Sequence, residues 1–101
     1  MSSAFIVRYK TKPDAAEENQ RLVEKVFAEL AASDPGGMRY ATIRFADGVS
    51  FMHLVIQETD DNPMGGIAAF DEFQRGIADR CVEGPERSEV SVVGAYRMLT
   101  G

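Results

Sequence analysis

The residues through which this chain could do chemistry are one histidine, His53, an asparagine, Asn19, and two arginines, Arg8 and Arg44. His53 is the one side chain whose ordinary pKa lies near neutrality. As a general base it could take the proton of a phenol and leave an electron-rich anion that reacts with oxygen. The more ordinary role is an interface histidine, bonded to Thr42 or to the second copy. Asn19 could orient a substrate oxygen or bond a strand-edge or loop carbonyl; buried without a partner, its amide would cost about 1–3 kcal/mol. Arg44 and Arg8 could hold a carboxylate or enolate through charge-assisted bonds, or pair with acids across an interface. Tyr40 and Tyr96 offer a hydroxyl and a stacking surface to an aromatic ligand, although tyrosine also packs interfaces by default. Phe51 shares a strand face with Tyr40. Phe27, Phe70 and Phe73 fall at core spacing, with cavity lining as a second role.

These residues are positioned by a hairpin, Met38 to Glu58, read as MRYATIRFADGVSFMHLVIQE. Two alternating runs flank Asp47-Gly48, the dipeptide suited to a two-residue type I′ turn. The register then pairs Arg44 with Phe51, Thr42 with His53 and Tyr40 with Val55. One face carries Tyr40, Thr42, Arg44, Phe51, His53 and Val55; the other carries Ala41, Ile43 and Phe45 against Ser50, Met52, Leu54 and Ile56, apolar except at its tip. The second, more apolar face is expected beneath helices, and the first, mixed face is expected to meet a second copy of the chain.

Around the hairpin, Ala4 to Lys10 predicts a first strand, with Phe5, Val7 and Tyr9 opposite Ala4, Ile6 and Arg8. Thr11-Lys12-Pro13-Asp14 supplies a helix start with Thr11 as a possible cap. That helix runs to about Ala32 on a stripe of Ala15, Leu22, Val23, Val26, Phe27 and Leu30, and Asn19 falls on the same stripe. Thr59-Asp60-Asp61-Asn62-Pro63 reads as a solvated turn and helix cap, since it lacks the spacing of a calcium loop. A second helix is expected over 64–81 with Ile67, Phe70, Phe73, Ile77 and Cys81 buried, weakened by Gly65, Gly66 and Gly76. Glu83-Gly84-Pro85 then turns the chain into a strand over 87–93. Gly94 marks a bulge or bend before a further piece over 95–99. The order β-α-β-β-α-β predicts a ferredoxin-like α+β fold, an antiparallel sheet with two helices on one face, in one domain spanning residues 1–101.

Composition narrows the function. The formal net charge of −5 argues against a nucleic-acid binder, whose affinity rests on a basic surface. One cysteine, Cys81, excludes an internal disulfide framework or a cysteine-cluster zinc site and fits a reducing cytoplasm. The start lacks the apolar run of a signal peptide, and no stretch is long and apolar enough to suggest a membrane span. Neither Gly36-Gly37 nor Gly65-Gly66 belongs to a nucleotide-binding motif, and no metal-ligand spacing is present, so neither cofactor nor metal is expected.

The phrases VRYKTKPDAAEENQRLVEKVFAEL, GGMRYATIRFADGVSFMHLV, NPMGGIAAFDEFQRGIADRC and VVGAYR resemble the antibiotic biosynthesis monooxygenase-like family of the dimeric α/β-barrel superfamily, and its small actinobacterial-type members most. The resemblance covers nearly the whole chain. It implies a homodimer, forming a dimeric α/β barrel, with a cavity between helices and sheet in each subunit. It also implies oxidation of a small aromatic or quinone-type ligand without metal or flavin. The oxygenase members commonly place a tryptophan in the pocket, and this chain has none. The haem-degrading members pair a first-strand asparagine with a second-helix histidine, which this chain also lacks. The expected catalytic set is His53, Asn19 and Arg44, with Tyr40, Phe51, Phe70 and Phe73 on the substrate. The alternative is a non-catalytic, homodimeric ligand-binding or stress-related module.

Overall fold

A computed structural model describes residues 3–59 and 63–98, so the expected cap at Asp60, Asp61 and Asn62 lies outside the described residues. The first strand, β1 (Ser3–Thr11), leads through a 3₁₀ turn at Pro13–Ala15 into α1 (Ala16–Ser33). The hairpin strands are β2 (Met38–Arg44) and β3 (Ser50–Gln57). A second 3₁₀ turn, Pro63–Gly66, precedes α2 (Ala68–Arg75), α3 (Ile77–Arg80) and β4 (Cys81–Val90). The sheet is antiparallel, in the order β2-β3-β1-β4, with the helices on one face. This is the ferredoxin-like α+β fold that the element order predicts.

The hairpin register is as expected: Tyr40 opposes Val55, Thr42 opposes His53 and Arg44 opposes Phe51. The connection is wider than a two-residue turn. Phe45 donates its N–H to Ser50 and accepts from Gly48, which leaves a loop over 46–49. Asp47 accepts from both Val49 N–H and Ser50 N–H, so its carboxylate holds the loop shut. Two-residue and four-residue loops close the same strand pairing, which is why the register survives the change.

The two sheet faces are the reverse of the expectation. Phe51, His53 and Val55 are buried beneath the helices, together with Tyr9. The core joins Tyr9 and Phe51 to Val23 and Val26 of α1, Phe73 of α2 and Ile67. Ile43 is exposed on the opposite face, and Ala41, Met52, Leu54 and Ile56 there are only half-buried. Alternation separates two faces without saying which one is up. The choice falls to β1, whose Val7 and Tyr9 pair with His53 and Phe51. The mixed face tolerates burial because its polar groups bond one another.

Three further expectations change, the first being the second helix, which is not one run over 64–81 but α2 and α3 broken at Gly76, with Cys81 already in β4. Thr11 does not cap a helix; it is fully buried at the end of β1 and donates its hydroxyl to Val49 O at 3.2 Å. The final strand begins at Cys81, runs straight through Glu83-Gly84-Pro85, and stops at Val90. The irregularity belongs to Gly84, not Gly94. Register shifts opposite Arg8 and Lys10, Gly84 takes φ +77°, and a Cβ there would lie 2.7 Å from Arg8 O. Only glycine accepts that backbone and that approach. Beyond it, residues 91–98 form no strand.

Candidate functional site

A cavity of about 340 Å³ opens between the sheet and α2–α3, at the end of the sheet away from the hairpin loop. Val7, Val55, Met64, Phe70, Phe73 and Ile77 form its largely apolar wall, and Tyr9, Tyr40 and His53 form a polar floor. Such a mixture of apolar walls with a few convergent polar groups is the usual make-up of a small-molecule site. α1 contributes nothing to the lining. Its Val23 and Val26 instead fill the hairpin end of the same face.

The floor is one hydrogen-bonded chain. Arg80 Nε donates to Asn19 Oδ1 at 3.0 Å, and Asn19 Nδ2 donates to Tyr9 Oη at 2.8 Å. Tyr9 Oη lies 2.8 Å from His53 Nε2. His53 Nδ1 lies 2.6 Å from Tyr40 Oη and 3.1 Å from Thr42 Oγ1. Arg80 also donates from Nη2 to Phe73 O at 2.8 Å and stands over the Phe73 ring. Asn19 is completely buried, and Arg80 and His53 nearly so. No buried side-chain nitrogen or oxygen among the described residues lacks a partner.

Burial sets the protonation of this floor. It holds His53 down to about 4, because charging the imidazole would cost solvation that the site does not return. It pushes the Tyr40 hydroxyl up to about 12, with the Thr42 hydrogen bond a smaller opposing effect. Tyr9 is raised further, against a counteracting bond from Asn19. At neutral pH the floor is therefore uncharged apart from the Arg80 guanidinium at its far end.

Of the residues singled out in the sequence, His53, Tyr40, Phe70 and Phe73 line the cavity. Asn19 stands one bond behind it, through Tyr9. Arg44 and Phe51 do not reach it. Arg44 is drawn to the hairpin loop, where it bonds Gly48 O, Gln20 and Glu17, and its guanidinium stacks 5.5 Å above Phe51. Phe51 in turn stacks on Tyr9 with centroids 5.5 Å apart, beneath α1. Glu17 is held below the usual carboxylate range by that arginine's hydrogen bond. Arg8 lies on the other sheet face and Tyr96 in the exposed segment after β4.

Sequence reasoning missed Tyr9, Arg80 and Arg87. Arg80 lies three residues after Ile77 and seven after Phe73, a cation on an apolar stripe, which is a signal in itself. Arg87 lines the cavity from β4, with its guanidinium 3.8 Å from the Phe5 ring centroid. Nothing in its local sequence distinguishes it from a solvated strand residue. Among the described residues no cluster of three or more His, Cys, Asp or Glu could hold a metal, and no helix is long and apolar enough to cross a membrane.

No protein-family model matches the chain, and no curated protein matches it. Solved structures do, along almost their whole length. A Caulobacter crescentus protein, named as a candidate antibiotic biosynthesis monooxygenase, superposes with a TM-score of 0.72 at 16% identity, over 92% of this chain and 91% of its own. SnoaB from Streptomyces nogalater, a cofactor-independent oxygenase, gives a TM-score of 0.67 at 14% identity, over 96% and 98% of the two chains. Rv0793 from Mycobacterium tuberculosis gives 0.72 at 16% identity, over 94% and 98%. The chain has the fold of the antibiotic biosynthesis monooxygenase-like proteins that its sequence resembles.

Proposed function

We propose that the chain is a one-domain, homodimeric, cofactor-independent monooxygenase-like protein that oxidises a small aromatic or quinone-type metabolite in the cavity over Tyr40 and His53. The observation that carries the reading is the cavity itself: aromatic and aliphatic walls of a size for one or two fused rings, closing on a single polar floor. The fold neighbours lend support, since one of them is a cofactor-independent oxygenase.

In this reading the ring lies between Phe70, Phe73 and the sheet, with an oxygen on Tyr40 Oη. His53 holds that hydroxyl, and Asn19 acts from behind through Tyr9. A phenolate or enolate held this way is electron-rich and reacts directly with dioxygen. One oxygen atom enters the substrate at the ring carbon, and the other leaves as water, taking up the hydrogen displaced from that carbon and the proton given up to solvent when the substrate ionised. Arg87 on the cavity wall offsets the anion's charge. Arg44 has no part in this scheme, because its guanidinium is committed at the hairpin loop.

Oxygen uptake with a panel of naphthols, anthrones and quinols is the test. Native protein should consume oxygen with at least one of them, and Tyr40→Phe and His53→Ala should each lower kcat by about tenfold or more. Saturable binding without oxygen consumption by any of the panel would favour the non-catalytic ligand-binding module instead.

A further inference from the structure

The direction of the buried hydrogen bonds is decided by chemistry at each atom, and it fixes what the cavity floor can offer. Arg80 Nε can only donate, so the Asn19 atom it meets must be Oδ1, and Nδ2 is the atom turned to Tyr9. Tyr9 Oη thus accepts from Asn19. Its own proton then has one acceptor within reach, His53 Nε2. A bare Nε2 in a neutral imidazole requires the proton on Nδ1, which points at Tyr40 Oη and Thr42 Oγ1. Tyr40 Oη accepts that proton, Thr42 acts on the same oxygen as a donor, the direction in which its bond lowers the Tyr40 pKa, and the Tyr40 O–H is left to serve the cavity. The opposite direction would leave the Tyr9 proton, on a side chain only 4% exposed, without a protein acceptor among the described residues, which folded proteins avoid.

We infer that Asn19, anchored by Arg80, is a positioning residue that locks His53 as its Nδ1–H tautomer through Tyr9, so that Tyr40 presents a hydrogen-bond donor to the cavity. The ligand class follows from this. The floor selects an oxygen acceptor on a conjugated ring, a quinone carbonyl, an enolate or a phenolate, over a neutral phenol that has a proton to give. The inference rests on the cavity being the ligand site proposed above, but the tautomer itself does not depend on turnover.

His53 is the sole histidine, so a long-range ¹H–¹⁵N correlation spectrum of labelled protein at pH 7 reads one ring. The expected spectrum has a pyrrole-like Nδ1 and a pyridine-like Nε2, the tautomer less favoured in free histidine. Asn19→Asp is nearly isosteric, and its carboxylate can only accept, from Arg80 on one side and Tyr9 on the other. The whole chain should then reverse, and the pattern should switch to Nε2–H. A pyrrole-like Nε2 in the native protein overturns the inference, and that spectrum decides the matter even if the variant does not fold. A folded Asn19→Asp protein with the native pattern overturns the role given to Asn19.

The ligand half is read with two probes, the anion of 2-hydroxy-1,4-naphthoquinone and neutral 1-naphthol. Native protein should bind the anion about tenfold more tightly than the naphthol, and Tyr40→Phe should cut that preference severalfold, to what Arg87 alone gives, while leaving the histidine pattern intact. An equal affinity for both probes in the native protein overturns the ligand assignment. Failure of every substrate in oxygen uptake would sink the monooxygenase reading and leave the tautomer result standing.

Discussion

His53 carries a stability cost that only acid should reveal. In the fold the imidazole is held down to about 4 by burial, whereas in the unfolded chain it titrates at its ordinary value of 6.5. Between those values the unfolded chain binds the proton and the folded one does not. Stability from this group is therefore complete above pH 6.5 and is lost as pH falls through 6.5 toward 4, by about 3 kcal/mol in all. His53→Gln removes the titration. Urea denaturation of both proteins at pH 7 and pH 4 should show the native protein losing about 3 kcal/mol more than the variant across that interval; an equal loss would mean that the imidazole is hydrated or charged in the fold. The need behind this network was legible, because Asn19 sits on an apolar helix stripe and had to find a partner. The partners were not. Tyr9 and Arg80 lie 10 and 61 positions away in sequence, and only the packing of β1, α1 and α3 brings them to one point.

At the scale of elements, α2 forms the roof of the cavity although it is short and nothing in its own sequence caps it. It has eight residues, no side-chain cap of its own and Gly76 at its end. Glu29 of α1 replaces the missing cap by accepting the N–H groups of Ala68 and Ala69 through its two carboxylate oxygens, at 3.1 and 2.9 Å. A carboxylate at a helix N-terminus also complements the helix dipole. Glu29→Ala should cost about 1 kcal/mol and speed hydrogen exchange at the α2 amides well before those of α1. Exchange that rises equally in both helices would show that Glu29 is not what ties α2 down. Helix breaks and strand starts were the least legible parts of the chain. Gly84 looked like a turn because glycine beside proline usually is one, yet here it serves a bulge inside β4. Gly84→Ala should destabilise the fold by about 1–3 kcal/mol, since the new methyl meets Arg8 O and the backbone would be strained even without it. A change in urea midpoint within error of zero would remove that explanation of the bulge.

At the scale of the molecule, the reversal of the sheet faces strengthens the case for a dimer that the sequence made for the wrong face. The mixed face is satisfied within the chain, by helices and by its own hydrogen bonds. What remains outward is the more apolar set: Ile6, Ala41, Ile43, Met52, Leu54 and Ile56, none of them buried by the chain. After β4 come Val92, Val93, Tyr96 and Met98, each at least half exposed, in a segment that forms no strand. Monomers seldom leave a contiguous apolar surface of more than a few hundred Å² open to water, and a two-fold contact between copies is the commonest way to cover one. Leu54→Glu places a charge in the middle of that face while leaving the cavity side of β3 untouched. Native protein at micromolar concentration should sediment at twice the 11.1 kDa chain mass, and the variant at the chain mass with its His53 spectrum unaltered. The pairing of results matters. A native protein that sediments as a monomer would mean that the outer face is open for some other reason. A variant that loses both the dimer and the native histidine pattern would show that the second copy is needed to shape the cavity as well as to cover the sheet.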